Sequence, residues 1–183
     1  MHKILPTVIL FATFIFFGCS KSEKGVPDNK YYFTVKVDGV EKTATDQSDL
    51  SGLKAQVVYL NSGGYNALLI SGRWWLATTS KKMGGTDLMI QPFPKKTGTY
   101  SVGAGTSDHS ITHWMDMSPP AGREDDDIYS AAGTYGSGNI ALEFFDGKEV
   151  RGTFQGTLVN TNRKTINLTE GKFYMPVDMS QAK

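Results

Sequence analysis

One cysteine stands in the whole chain, at position 19. With no second thiol, no disulfide can form within the chain, and a fold held by cross-links is excluded. Neither sign of charge is in excess, since 19 Lys and Arg face 18 Asp and Glu. Lys3 is the only Lys, Arg, Asp or Glu before Cys19, so the chain that follows Gly18 is formally neutral. Nucleic acid needs a basic face, and this composition offers none. A long apolar run is missing too. The one apolar segment, Ile4 to Phe17, is interrupted by Pro6, Thr7 and Thr13 and falls short of the roughly 20 residues that cross a bilayer. No segment sustains a helical pattern over three turns. Gly-x-Ser-x-Gly, a phosphate loop and zinc-ligand spacing are all lacking. No catalytic residue, metal ligand or cofactor is therefore assigned.

What is present begins at the N-terminus. His2 and Lys3 lead into the short apolar segment, which ends in FIFFGCSKSEK. A basic start, a short apolar core and a small residue at the exit make a secretory signal. Gly18-Cys19 resembles the lipobox of bacterial lipoproteins, although Phe16 and Phe17 are bulkier than the usual residues there. The resemblance implies cleavage after Gly18 and lipid, palmitate among its acyl chains, on Cys19. Each buried methylene contributes ~0.8 kcal/mol, so several acyl chains anchor permanently. Residues 1–18 are then the signal peptide and residues 19–30 a lipidated flexible tether. That tether, SKSEKGVPDNK after the cysteine, is too poor in apolar residues to fold alone. Its SKSEK start resembles the charged surface-export signals of Bacteroidetes lipoproteins. The expected location is the bacterial cell envelope, as an outer-membrane lipoprotein facing the periplasm or the exterior.

Residues 31–183 are long enough for a single domain with its own core. Short alternating runs separated by Gly, Asn, Asp and Ser fill it. Phe33, Val35 and Val37 share one face of the first run, and Asp38-Gly39 is a two-residue hairpin turn. Further strands are expected over Ala55–Leu60, Asn66–Ser71, Asp87–Phe93, Thr97–Val102 and Ser110–Met115, with Pro92 marking an edge. In the last third, Ile140, Leu142 and Phe144 point one way. Asp146-Gly147 turns the chain, and Val150, Phe154 and Leu158 point inward while Arg151, Thr153, Gln155 and Thr157 point outward. Thr161-Asn162-Arg163 turns it again before Ile166 and Leu168. Roughly ten short strands at this spacing predict an all-β fold, an antiparallel β-sandwich or a partly open barrel.

The C-terminal block SGNIALEFFDGKEVRGTFQGTLVNTNRKTINLTEGKF resembles a group of small Bacteroidetes lipoproteins classed as a domain of unknown function. The shared pattern is Gly-x-Phe-x-Gly followed by Thr-x-Glu-Gly-x-Phe. Here it falls on Gly152, Phe154 and Gly156, then on Thr169, Glu170, Gly171 and Phe173. The resemblance implies a habitat and an all-β fold, and it brings no activity or site with it.

Three stretches carry candidate chemistry. In DHSITHWMD (108–116), His109 and His113 would share a metal ion on a helix, but along a strand they sit ~13 Å apart. The acidic run Arg123–Asp127 lacks the spacing of a calcium loop and reads as a solvated loop. Trp74-Trp75 is more telling. Alternation sends the two indoles to opposite faces, so Trp74 is expected to pack and Trp75 to share an exposed face with Arg73. Trp75 and Arg73 are the ligand-binding residues this implies. The leading expectation is a non-catalytic domain, membrane-held through Cys19, that binds a glycan, a small molecule or a partner protein. A lipocalin-like barrel with an apolar ligand inside is the alternative, and an envelope hydrolase the third reading.

Overall fold

The computed structural model describes residues 30–45, 52–60, 65–77, 80–103, 106–117 and 128–182. Among them are eleven strands and no helix. They are β1 (Tyr32–Val37), β2 (Val40–Thr45), β3 (Leu53–Leu60), β4 (Tyr65–Ala77), β5 (Ser80–Ile90), β6 (Gly98–Gly103), β7 (Thr106–Met117), β8 (Ile128–Gly133), β9 (Ser137–Phe145), β10 (Glu149–Val159) and β11 (Thr165–Asp178). All belong to one sheet, ordered β2-β1-β11-β3-β4-β5-β7-β8-β10-β9-β6, with β10 also paired to β11.

That extra pairing bends the sheet into a partial ring. Two joints of the ring are thin. β11 meets β3 at Val177↔Ala55 and Asp178↔Gln56, the one parallel pairing among the described strands. β10 meets β8 at Val159↔Ser130 alone. The strands consequently form two layers, β2-β1-β11-β10-β9-β6 and β3-β4-β5-β7-β8, around one core, an arrangement consistent with a sandwich or a partly open barrel. Side chains fill the interior. Phe33 of β1 packs so closely over Gly72 of β4 that a Cβ there would lie 2.3 Å from the ring. Each large apolar side chain buried in this way stabilises the fold by about 1.5–3 kcal/mol.

The Gly-x-Phe-x-Gly and Thr-x-Glu-Gly-x-Phe patterns have a structural meaning. In the β10–β11 ladder, Gly152 stands opposite Phe173 and Phe154 opposite Gly171. Each ring therefore lies over the other strand's glycine. A Cβ on Gly171 would be 2.6 Å from the Phe154 ring, and one on Gly152 would be 2.7 Å from Phe173 Cζ. A ring covering the bare backbone of a cross-strand glycine recovers the packing that glycine lacks. Glu170, at φ 52, sits in a β-bulge where the register jumps between Phe154 and Gly156. The bulge changes which residues face inward, from Ile166 and Leu168 before it to Gly171, Phe173 and Met175 after it.

The turns follow the sequence. Asp38 and Gly39 both have positive φ (46° and 82°), as a primed two-residue hairpin turn requires. Asp38 Oδ1 accepts the Asn167 N–H at 2.8 Å, docking the β1–β2 hairpin on β11. Asp146 Oδ1 accepts the N–H groups of Lys148 and Glu149, both at 2.8 Å. Those two bonds, from Glu149 first, hold its carboxyl below the usual range.

Three differences from the sequence reading have physical causes. Phe144, expected inward beside Ile140 and Leu142, is 37% exposed. A bulge at Glu143, where Arg151 pairs Phe144 and Gly152 pairs Leu142, reverses the alternation and sends Phe145 to the core instead. β2 and β8 have no counterpart among the expected strands. β2 is an edge strand carrying Glu41 and Lys42, and β8 presents small residues, so neither shows the strong two-residue hydrophobic period. β4 extends well past Ser71, the end expected for it, and β11 continues beyond Leu168 to Asp178.

Candidate functional site

The outward face of β1, β11, β10 and β9 is built from four successive cross-strand rows. Tyr32, Tyr174, Arg151 and Phe144 form the first, and Thr34, Lys172, Thr153 and Ala141 the second. Lys36, Thr169, Gln155 and Asn139 follow, then Asn167, Thr157 and Ser137. Rows two residues apart along a strand are separated by ~6.8 Å, so the four span ~20 Å. A depression of about 280 Å³ lies over the last two rows, and one of about 190 Å³ over the second and third. Both include Asn139 and Gln155, so they adjoin as one trough running along the strands.

The charges on this face are mostly spent on one another. Lys36 Nζ donates to Glu170 Oε1 at 2.6 Å, and Arg151 Nε lies 3.6 Å from Glu143 Oε2. The Arg151 guanidinium also sits 6.0 Å from the centre of the Phe144 ring. In the fourth row Thr157 Oγ1 donates to Asn167 Oδ1 at 2.9 Å. The amides of Asn139 and Gln155 make no hydrogen bond among the described residues. At the aromatic end, Tyr174 is edge-on to Tyr31 (5.4 Å) and Tyr32 (6.4 Å). Glu149 ties that end together, accepting from Lys30 Nζ, the Tyr174 hydroxyl and the Tyr31 hydroxyl. The Lys30 bond first, then those from Tyr174 and Tyr31, bring its pKa down to about 2. Lys30 is the first of the described residues.

The residues singled out in the sequence are distributed differently. Cys19 and the acidic run Arg123–Asp127 lie outside the described residues. Trp75 pairs its backbone with Met83, and its side chain also lies outside them. Arg73 aligns with Gly85 of β5 and Trp114 of β7, on the outer face of the second layer. Because Gly85 has no side chain, the Trp114 indole lies over it and comes 5.9 Å from the Arg73 guanidinium. Trp114 Nε1 donates to Asp87 Oδ2 at 3.3 Å. Arg73 Nε and Asp87 Oδ1 are buried there without hydrogen-bond partners among the described residues. Trp114 itself is only 2% exposed.

His109 and His113 both lie on β7, as the strand reading expects. His113 is 1% exposed, shares a 2.9 Å hydrogen bond between Nδ1 and Thr86 Oγ1, and stacks on Trp74 at 5.8 Å. Burial, and after it the charge of Lys42, lowers its pKa from 6.5 to about 4. This makes stability depend on pH. The unfolded chain binds the proton near pH 6.5, whereas the folded chain resists it until about pH 4. Stability is then complete above pH 6.5 and falls by about 3 kcal/mol on the way down to pH 4. Urea unfolding at pH 7, 5.5 and 4.5 measures the slope. His113→Asn should flatten it, and an unchanged slope in that variant contradicts the assignment.

No protein-family model matches the chain, and no curated protein or solved structure matches it either.

The residues of this face that the sequence reading does not single out as a site are Asn139, Gln155, Lys172 and Tyr174. The outward direction of Gln155 and Thr153 is readable from alternation. Which outward residues are neighbours depends on pairing between distant strands, and that leaves no local signal.

Proposed function

We propose that this protein is a lipid-anchored, non-catalytic binding module of the bacterial cell envelope, whose ligand lies on the outward face of β1, β11, β10 and β9. The observation that carries this reading is the trough on that face, with the free amides of Asn139 and Gln155 at its middle. The filled core supports a surface site over an apolar ligand held inside, because Phe33, Phe154 and Phe173 occupy the interior where such a ligand would sit. The Gly18-Cys19 pair and the resemblance to small envelope lipoproteins support the anchor and the location. Lys30, bonded to Glu149 at the aromatic end of that face, would hold the face close to the tether's root.

A second site at Arg73 and Trp75 is favoured by one observation. Arg73 Nε and Asp87 Oδ1 are buried beside Trp114 with unused hydrogen-bonding capacity. Trp75→Ala and Gln155→Ala, compared against the same ligand, separate the two faces.

The anchor is tested by fatty-acid labelling in cells. Cys19→Ser should leave the chain uncut and without label while its domain still folds. Equal incorporation of label in the variant contradicts lipid attachment at Cys19.

A further inference from the structure

We propose that the ligand of the trough is a neutral, extended glycan chain; this rests on the reading of that face as the binding surface. Four features of the face point to this class.

The first is hydrogen-bonding character. Asn139 and Gln155 each offer a donor and an acceptor, and Thr153 and Ser137 add hydroxyls that can act as either. A chain of sugar hydroxyls, each donor and acceptor at once, is the natural complement of such a surface.

The second is charge. Lys36 is spent on Glu170 and Arg151 faces Glu143, which leaves Lys172 as the one lysine or arginine lining the trough without an ion pair among the described residues, a single exposed charge against which to draw an acidic polymer.

The third is backbone. An extended peptide gains its affinity by adding to an open strand edge. β10 and β11 are paired on both sides through most of this region, which leaves the face with side-chain contacts to offer and little free ladder.

The fourth is the aromatic row next to the trough. Phe144, turned outward by the bulge at Glu143, stands in one row with Tyr174 and Tyr32. Aromatic faces at that place suit the apolar C–H face of a sugar ring, and the Tyr32 hydroxyl, which Glu149 does not engage, is at hand for polar contacts. The row lies ~14 Å from the Asn139–Gln155 row along the strands, so one chain would reach both only if extended.

The test is affinity electrophoresis of the full lipidated chain in mild detergent, through gels each holding one polysaccharide. A β-glucan, a xylan and an α-mannan serve as neutral probes, and polygalacturonate and heparin as charged ones. An immobilised random-peptide library is screened beside them. The expected result is retardation by at least one neutral glycan that persists at about 0.5 M salt, where electrostatic binding is screened. Asn139→Ala and Gln155→Ala, each made singly, should weaken it at least about tenfold while melting temperatures stay within a few degrees. Phe144→Ala should weaken the longer chains more than short oligosaccharides. Retardation by heparin or polygalacturonate alone, or capture by peptides that Gln155→Ala abolishes, overturns the glycan class and keeps the binding face. Binding of any probe that neither Asn139→Ala nor Gln155→Ala alters overturns the face as well. No binding to any probe overturns the glycan inference.

Discussion

Phe154→Ala is expected to destabilise the domain by about 3–5 kcal/mol. Its ring is 2% exposed, lies 5.1 Å from Phe33 and 6.4 Å from Phe173, and covers Gly171. Truncation removes the centre of this aromatic group and uncovers the glycine opposite. The reciprocal arrangement makes a second, independent test. Gly152→Ala would bring a methyl group to 2.0 Å from the Ala141 carbonyl oxygen and 2.7 Å from Phe173 Cζ. The first of these is backbone and cannot swing aside, so the β9–β10 ladder itself must shift. Overpacking of this kind costs about 1–3 kcal/mol or more. Thr153→Ala, one residue away and facing outward, should cost less than half of the Phe154 loss. Urea denaturation of the three variants measures all of this. Equal, small losses at Phe154 and Thr153 would contradict the inward and outward faces of β10.

Trp74→Ala should be comparably severe, at about 3–5 kcal/mol. The indole is 7% exposed and stacks on His113. Removing it does more than leave a cavity. It opens one face of the imidazole, so the burial that lowers the His113 pKa weakens and the pH slope between 6.5 and 4 should shrink along with the stability. Trp74→Phe should recover most of the lost stability and much of the slope. A loss below about 1 kcal/mol for Trp74→Ala, on the order of a surface substitution, would mean that the indole does not belong to the core. The two effects have different causes, since Phe154 centres an aromatic group with Phe33 and Phe173 whereas Trp74 shields the buried imidazole of His113.

Much of the local geometry is legible in the residues. Alternation in β10 correctly separates Val150, Phe154 and Leu158 from Arg151, Thr153, Gln155 and Thr157. Asp38-Gly39 and Asp146-Gly147 turn the chain where their conformational freedom is needed. Alternation also sends Trp74 inward, and Trp74 is in the core. The misses cluster at bulges. Phe144 reads as inward because nothing in ALEFFDG announces an extra residue, and the bulge is visible only against Arg151 and Gly152 on the partner strand. Thr-x-Glu-Gly-x-Phe is recognisable as a pattern, but its reason, a left-handed Glu170 and a glycine under Phe154, emerges only when β11 is paired with β10.

The candidate site divides in the same way. That Thr153 and Gln155 face out, that Cys19 follows a short apolar leader, and that the chain is an all-β domain without helical periodicity are written in residue order. Each depends on neighbours one to four positions away, or on composition. That Asn139 stands beside Gln155, that Tyr174 stands beside Tyr32 and Arg151, and that Arg73 shares its face with Trp114 and Asp87 was decided by tertiary structure. Closure of the sheet through β10–β11 belongs there too. Side-chain direction along a strand repeats every two residues and is a local property, whereas register and strand order are set by the packing of segments far apart in the chain. A face made of four strands is therefore readable one strand at a time from the sequence, and becomes a candidate site only when the strands are brought into register.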